Sequence, residues 1–264
     1  MKSGNNLVVH ISGNGQGIPV IFIHGFPLDH KMWDNQVEFL KEEYRCITYD
    51  IRGLGESPAG DGQYTIELFV DDLLEIMAEY TIEKPVLCGF SMGGYIAQRA
   101  VQREPDAFGG LILCNTRSES DNNEGKIKRA ASVKLINMEG LETYVTDFIS
   151  NCLSDISLKE KKGIFDKVIS NSIKFDSLGV KGCLIAMAGR TDTTSFLEKI
   201  TIPVLVIAGL LDKIASPLYM RTITEKLRLS EFAVAPNAGH LAPLENPGFV
   251  NDVIAGFLRR RITH

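Results

Sequence analysis

Pro85-Val86-Leu87-Cys88-Gly89-Phe90-Ser91-Met92-Gly93-Gly94-Tyr95 is the stretch on which the reading of this chain turns. Val86 to Cys88 is a short apolar run, the mark of a buried strand, and Tyr95 to Val101 has one apolar face at helical spacing. Between them lies Gly-Phe-Ser-Met-Gly. A strand that turns sharply into a helix lifts its turn residue clear of the sheet, so the Ser91 hydroxyl is expected alone at the sheet's C-terminal edge. Such a turn needs small neighbours, and Gly89 and Gly93 supply them. The same letters also occur by chance in loops. The flanking strand and helix make that bland reading the weaker one.

Outward from this stretch, strands and helices alternate. Strands are expected at Leu7 to Ile11, Ile18 to His24, Arg45 to Tyr49, Val86 to Phe90 and Leu111 to Cys114. Helices are expected from His30 to Lys41, and from Thr65, a suitable N-cap, to Glu79. The glycine-rich Gly13 to Gly17 leads into a strand and not a helix. It therefore reads as a hairpin turn and not a dinucleotide site. Alternation of this kind predicts a parallel sheet covered by helices. At Thr116 it breaks. From Arg117 to Ile200 the segments Lys126–Met138, Leu141–Cys152, Lys159–Ser172 and Ser177–Ala188 carry helical spacing and no convincing strand. The alternation returns at Pro203 to Gly209, with a helix from Ser216-Pro217, a short strand at Phe232 to Val234 and a helix from Asn246-Pro247. The expected fold is a mostly parallel α/β sheet of seven or eight strands with an inserted helical cap. Residues 1–116 and 201–264 would form the core and 117–200 the cap.

The whole chain narrows the function classes. Its 264 residues are enough for a sizeable core, and a net charge of −5 offers no strongly basic face for nucleic acid. Lys126-Ile127-Lys128-Arg129 reads as a solvated helix face, and Arg259-Arg260-Arg261 as the basic end of the last helix. The five cysteines, Cys46, Cys88, Cys114, Cys152 and Cys183, have no metal or redox spacing and fit buried free thiols in a reducing compartment. The N-terminal residues Met1 to Asn6 contain no apolar signal core, and no stretch approaches a membrane span. A cytoplasmic location and no membrane partner are the expectation. Oligomeric state leaves no trace in the sequence.

A serine hydroxyl needs a base within hydrogen-bond reach, and the base needs an orienting group. Of the five histidines, His264 is terminal, His10 lies on the first strand, His30 opens a surface helix and His24 braces a loop. His240, in Asn237-Ala238-Gly239-His240-Leu241, follows the last strand at the same sheet edge as Ser91 and is the candidate base. Asp212, in Gly209-Leu210-Leu211-Asp212, follows the penultimate strand and is the candidate acid, although a turn role is the plain alternative. The rival position after the fifth strand holds Asn115, which carries no charge, with Glu119 further on. Chain order Ser91, Asp212, His240 is the order expected with this elbow. The amides of Met92 and Phe26 are placed where donors for a developing oxyanion belong. Phe26 and Trp33 are named as substrate walls, a role plain core residues mimic.

Taken together, His24-Gly25-Phe26-Pro27, Asp50-x-Arg52-Gly53-x-Gly55-x-Ser57, Gly89-Phe90-Ser91-Met92-Gly93-Gly94, Gly209-x-x-Asp212 and Gly239-His240 resemble the α/β-hydrolase superfamily. The resemblance spans nearly the whole expected core. Within it the chain is similar to bacterial carboxylesterases, 3-oxoadipate enol-lactonases and cofactor-free haloperoxidases that act as perhydrolases. It implies a Ser-His-Asp hydrolase of small or medium esters or lactones, with no metal and no organic cofactor. Haloalkane dehalogenases and epoxide hydrolases fit poorly, because those families carry aspartate where this chain has Ser91. A receptor built on the same scaffold is the reading from another class; it predicts a damaged triad position, and all three are intact in the sequence.

Overall fold

The computed structural model describes residues 6–262. The readings made on Met1 to Asn5 and on His264 fall outside the described residues. Seven strands form one sheet among the described residues: β1 (Val9–Gly13), β2 (Pro19–Ile23), β3 (Arg45–Tyr49), β4 (Val86–Phe90), β5 (Gly110–Cys114), β6 (Val204–Gly209) and β7 (Ser230–Ala235). Their order across the sheet is β1-β3-β2-β4-β5-β6-β7. Only β1 runs antiparallel, on β3. β4, β5 and β6 are buried along their whole length, as strands covered on both faces must be.

The expected hairpin between the first two strands does not form. The Gly13–Gly17 stretch does turn, with the Gly17 amide donating to the Asn14 carbonyl at 2.9 Å, but β1 pairs with β3 and not β2. Both edges of β2 are taken by parallel neighbours, β3 and β4. The alternating, half-exposed Val9-His10-Ile11-Ser12 suits the sheet edge instead.

The flanking helices are α1 (Asp34–Leu40), α2 (Ile66–Glu79), α3 (Met92–Arg103), α9 (Pro217–Lys226), the short α10 (Ala242–Glu245) and α11 (Pro247–Arg261). Before α1, His30–Trp33 is a tighter 3₁₀ turn, so the single expected helix is two pieces. The N-caps fall where the sequence put them: Thr65 accepts from the Leu68 amide and Ser216 from the Tyr219 amide. α1 packs on α11, and α2 on α3. Between β5 and β6 the chain is helical: α4 (Asn123–Glu139), α5 (Leu141–Cys152), α6 (Asp155–Glu160), α7 (Lys162–Ser172), α8 (Ser177–Ala188) and a 3₁₀ turn at Thr194–Lys199. The expected Lys159–Ser172 helix is divided at Lys161, which leaves helical backbone at φ −124°.

His30 is half-buried and does not stand free on the surface. Its Nδ1 lies 2.8 Å from Asp50 Oδ1, and its ring stacks on His10 at 3.9 Å. Asp50 is fully buried and also accepts from the His30 and Glu56 amides, each at 2.8 Å. Ser57 donates to the Asp50 carbonyl and accepts from the Val8 amide. The Asp50-to-Ser57 motif is thus a buried knot that fastens the loop after β3 to the start of β1. In the Lys126–Arg129 run, Lys126 and Lys128 are exposed as expected, whereas Arg129 pairs with Asp121 at 3.1 Å.

Candidate active site

Ser91 occupies the turn between β4 and α3 at φ 50° and ψ −113°. A non-glycine residue rarely adopts positive φ, and strain of this kind gathers at functional sites. The surroundings hold it there. The Ser91 amide donates to the Cys114 carbonyl at 3.0 Å, while Thr116 Oγ1 donates to the Ser91 carbonyl at 2.7 Å. Gly93 is required by close approach: a Cβ there would collide with the carbonyl oxygen of Ile23 and lie 2.6 Å from that of His24. The end of β2 therefore lies directly against the first turn of α3. Gly25 is similarly tight, since a Cβ would meet the Phe90 ring at 2.6 Å.

β6 and β7 deliver the partners. The Leu211 amide donates to the Ala238 carbonyl at 2.8 Å, which ties the loop carrying Asp212 to the loop carrying His240. His240 Nε2 lies 3.0 Å from Ser91 Oγ, and His240 Nδ1 lies 2.9 Å from Asp212 Oδ2. Asp212 is an acceptor only, so the imidazole carries its proton on Nδ1 and presents the Nε2 lone pair to the serine hydroxyl. Asp212 Oδ2 also accepts from Asn115 Nδ2 at 2.8 Å, and Oδ1 from the amides of Ile214 at 2.7 Å and Ala215 at 3.0 Å. Burial alone would raise the Asp212 carboxyl. The adjacent His240 and these donors outweigh burial and hold it well below the usual carboxylate range. The carboxylate is therefore charged throughout the neutral range.

The amides of Phe26 and Met92 have no hydrogen-bond partner among the described residues. Met92 is the first residue of α3, where no intrahelical acceptor exists. The loop holding Phe26 is braced by His24. His24 Nε2 accepts from the Ile51 amide at 2.9 Å, which places the ring proton on Nδ1, donating to the Gly25 carbonyl at 2.9 Å. Burial lowers the His24 pKa and keeps the ring neutral for this task.

Trp33, expected as a substrate wall, is instead fully buried, with its ring 5.2 Å from Phe22; it belongs to the core. Phe26, the other expected wall, is buried as well. Its ring packs on Tyr144 at 6.2 Å and Phe148 at 5.5 Å, both from α5. The sequence reading missed these two rings; their spacing of four along an amphipathic helix marked them only as neighbours on one face. It also missed Glu245, whose buried carboxylate accepts from the amides on either side of His240. An apolar cavity of about 160 Å³ lies where Leu28 and Met32 face Ile164, Val168 and Leu244. Ser91, His240 and Asp212 are not on its wall. Among the described residues no group of acidic, histidine or cysteine side chains is placed to hold a metal ion, and no helix is long and apolar enough to cross a membrane.

The family model of the alpha/beta hydrolase fold matches residues 18–146. A thermophilic esterase from Thermogutta terrifontis superposes with a TM-score of 0.93 at 34% identity, over 97% of this chain and 94% of that one. The chain belongs to the α/β-hydrolase family. Another relative of this α/β-hydrolase is 3-oxoadipate enol-lactonase 1 of Acinetobacter baylyi, 28% identical across 98% of this chain and 95% of that protein. A bromoperoxidase from Bacillus anthracis shares the fold, with a TM-score of 0.85 at 23% identity over 96% of this chain and 95% of that one.

Proposed function

We propose that this α/β-hydrolase cleaves carboxylic esters of small to medium acyl chain through an acyl-enzyme. The observation that carries the reading is the unbroken path from Ser91 Oγ to His240 to Asp212, at 3.0 and 2.9 Å, ending on a serine held at positive φ. Ser91 is the nucleophile. As its oxygen bonds to the ester carbon, its proton passes to His240 Nε2, and Asp212 steadies the resulting imidazolium. The carbonyl oxygen takes up negative charge opposite the free amides of Phe26 and Met92. His240 then returns the proton to the departing alcohol. Water repeats the sequence on the acyl-enzyme, giving the acid and restoring Ser91. No bond made or broken here needs a metal or an organic cofactor.

In this reading residues 117–200 form a cap over the sheet edge. Phe26, Tyr144 and Phe148 then give the acyl group an aromatic margin. Five unpaired, buried cysteines fit a reducing compartment, and we assign the enzyme to the cytoplasm. Hydrolysis of p-nitrophenyl acetate, butyrate and octanoate tests the proposal. Ser91→Ala should lose at least about 10³-fold in kcat/KM, since an oxyanion hole alone retains little of a triad's catalysis. Wild-type rates in that variant would remove Ser91 from the mechanism. The second reading is an enol-lactone hydrolase, favoured by the full-length likeness to the Acinetobacter baylyi enol-lactonase. It requires kcat/KM on an enol-lactone to exceed that on every simple ester.

A further inference from the structure

Glu245, the last residue of α10, is fully buried. Among the described residues its carboxylate is bonded only by backbone N–H groups. Oε1 accepts from Gly239 at 2.9 Å and from Leu241 at 3.2 Å, the residues on either side of His240. Oε2 accepts from Ser154 at 2.9 Å, at the junction between α5 and α6. The one remaining amide in this run, that of His240 itself, donates to the Cys152 carbonyl of the same junction at 2.8 Å. Gly239 fits so closely that a Cβ would stand 2.6 Å from the Ser154 nitrogen and 3.0 Å from the Cys152 oxygen. Lys161 donates to the backbone carbonyl of Glu245 and so pins the residue from the far side of α6.

Three N–H donors converge on two oxygens, with no side-chain cation among them. Only a group that accepts at every position satisfies them, and an ionised carboxylate is such a group. An amide in its place turns an NH₂ toward an N–H and leaves a buried donor unpaired, which is destabilising.

We propose that Glu245 is a positioning residue: it clamps the peptides flanking His240, sets the reach of the imidazole to Ser91, and joins the base to the α5–α6 junction. The base is thereby tied to the helices between β5 and β6. Any movement of the Cys152–Ser154 segment is passed to His240, so the proposed cap is anchored at this point and free to shift only elsewhere. The inference rests on the reading of Ser91 and His240 as nucleophile and base.

The test compares wild type, Glu245→Gln, Ser154→Pro and Ser154→Ala on p-nitrophenyl acetate, with circular dichroism confirming the folded fraction at the assay temperature. Ser154 has φ −69°, which proline adopts, and the residue before it is extended, so the backbone admits Ser154→Pro; the ring takes the place of the N–H that lies 2.9 Å from Glu245 Oε2 and displaces that carboxylate, breaking the clamp from the junction side. Ser154→Ala keeps that N–H and controls for the lost N-cap of α6. Glu245→Gln is expected to lower kcat roughly 10- to 100-fold with KM within about twofold, as misplacing a catalytic group by about 1 Å does. The downfield His240 Nδ1 proton resonance should shift with it, a change that lowered stability alone would not produce. Ser154→Pro should fall well below Ser154→Ala in kcat. A folded Glu245→Gln with wild-type kcat and an unmoved resonance overturns the proposal. If Glu245→Gln is unfolded at the assay temperature, equal kcat in the two Ser154 variants overturns it instead. Ser91→Ala separates the two levels. Full activity there removes Ser91 as the nucleophile and this inference with it, whereas an inactive Ser91→Ala beside a fully active Glu245→Gln defeats only the positioning role.

Discussion

Asp212 holds its charge against burial because four donors surround it, and His240 is the one whose protonation state it governs. Asp212→Asn replaces an acceptor with a group that can donate to Nδ1. The imidazole would then be free to carry its proton on Nε2, where it cannot accept from Ser91. Loss of roughly 10³- to 10⁴-fold in kcat at neutral pH is expected, with KM little changed; ester hydrolysis within tenfold of wild type would contradict this account of the residue. Ser91, His240 and Asp212 were legible because each chemistry-bearing residue follows a strand that the apolar runs reveal. Asn115 was readable only as an uncharged residue at the rival acid position. Its use as a donor to Asp212 follows from the neighbouring placement of β5 and β6, which no local pattern states. Trp33 misled because an aromatic after the Phe26 loop looks the same whether it faces a ligand or, as here, Phe22.

The elbow is the element on which the site depends, and Gly89 and Gly93 are fixed in it by backbone and not by mobile side chains. Gly93→Ala sets a methyl against the Ile23 and His24 carbonyls, neither of which can move without parting β2 from β4. The variant is expected to lose about 1–3 kcal/mol of stability in denaturant titration, the usual range for overpacking. A midpoint equal to wild type would show that α3 can slide away from β2. The strands and helices themselves were largely readable from apolar spacing and N-cap residues. What the spacing could not show was pairing: β1 joins β3 across the loop because Asp50, Ser57 and Val8 hydrogen-bond there, a contact between residues about fifty apart. The break at Lys161 in the helical stretch was equally hidden, since the apolar spacing continues across it.

Across the molecule, acid should act first through the buried histidines. Burial lowers the His24 pKa, and burial together with His30 lowers that of His10. An unfolded chain takes up these protons below about pH 6.5, and the folded chain does so only at lower pH. Their contribution to stability is therefore fully present above that pH and is lost as pH falls below it. His30 opposes them: despite burial, its bond to Asp50 raises its pKa, so its contribution is present at low pH and fades as pH rises through the raised value. His24→Gln should flatten the fall in melting temperature between pH 7 and pH 5; an unchanged slope would assign that fall to other groups. At this scale the sequence showed a single sheet with one helical insertion. It did not show that the insertion is stitched to the His240 loop, because a buried glutamate gathering three backbone amides has no signature until the chain is folded. The most direct measurement of the central claim is an acid quench of the enzyme during turnover of p-nitrophenyl acetate, followed by mass spectrometry of its peptides. One acetyl group on Ser91, absent from His240→Ala, is the expected result. An acetyl group on another residue, or steady turnover with none on Ser91 under conditions where deacylation is slowed, would contradict it.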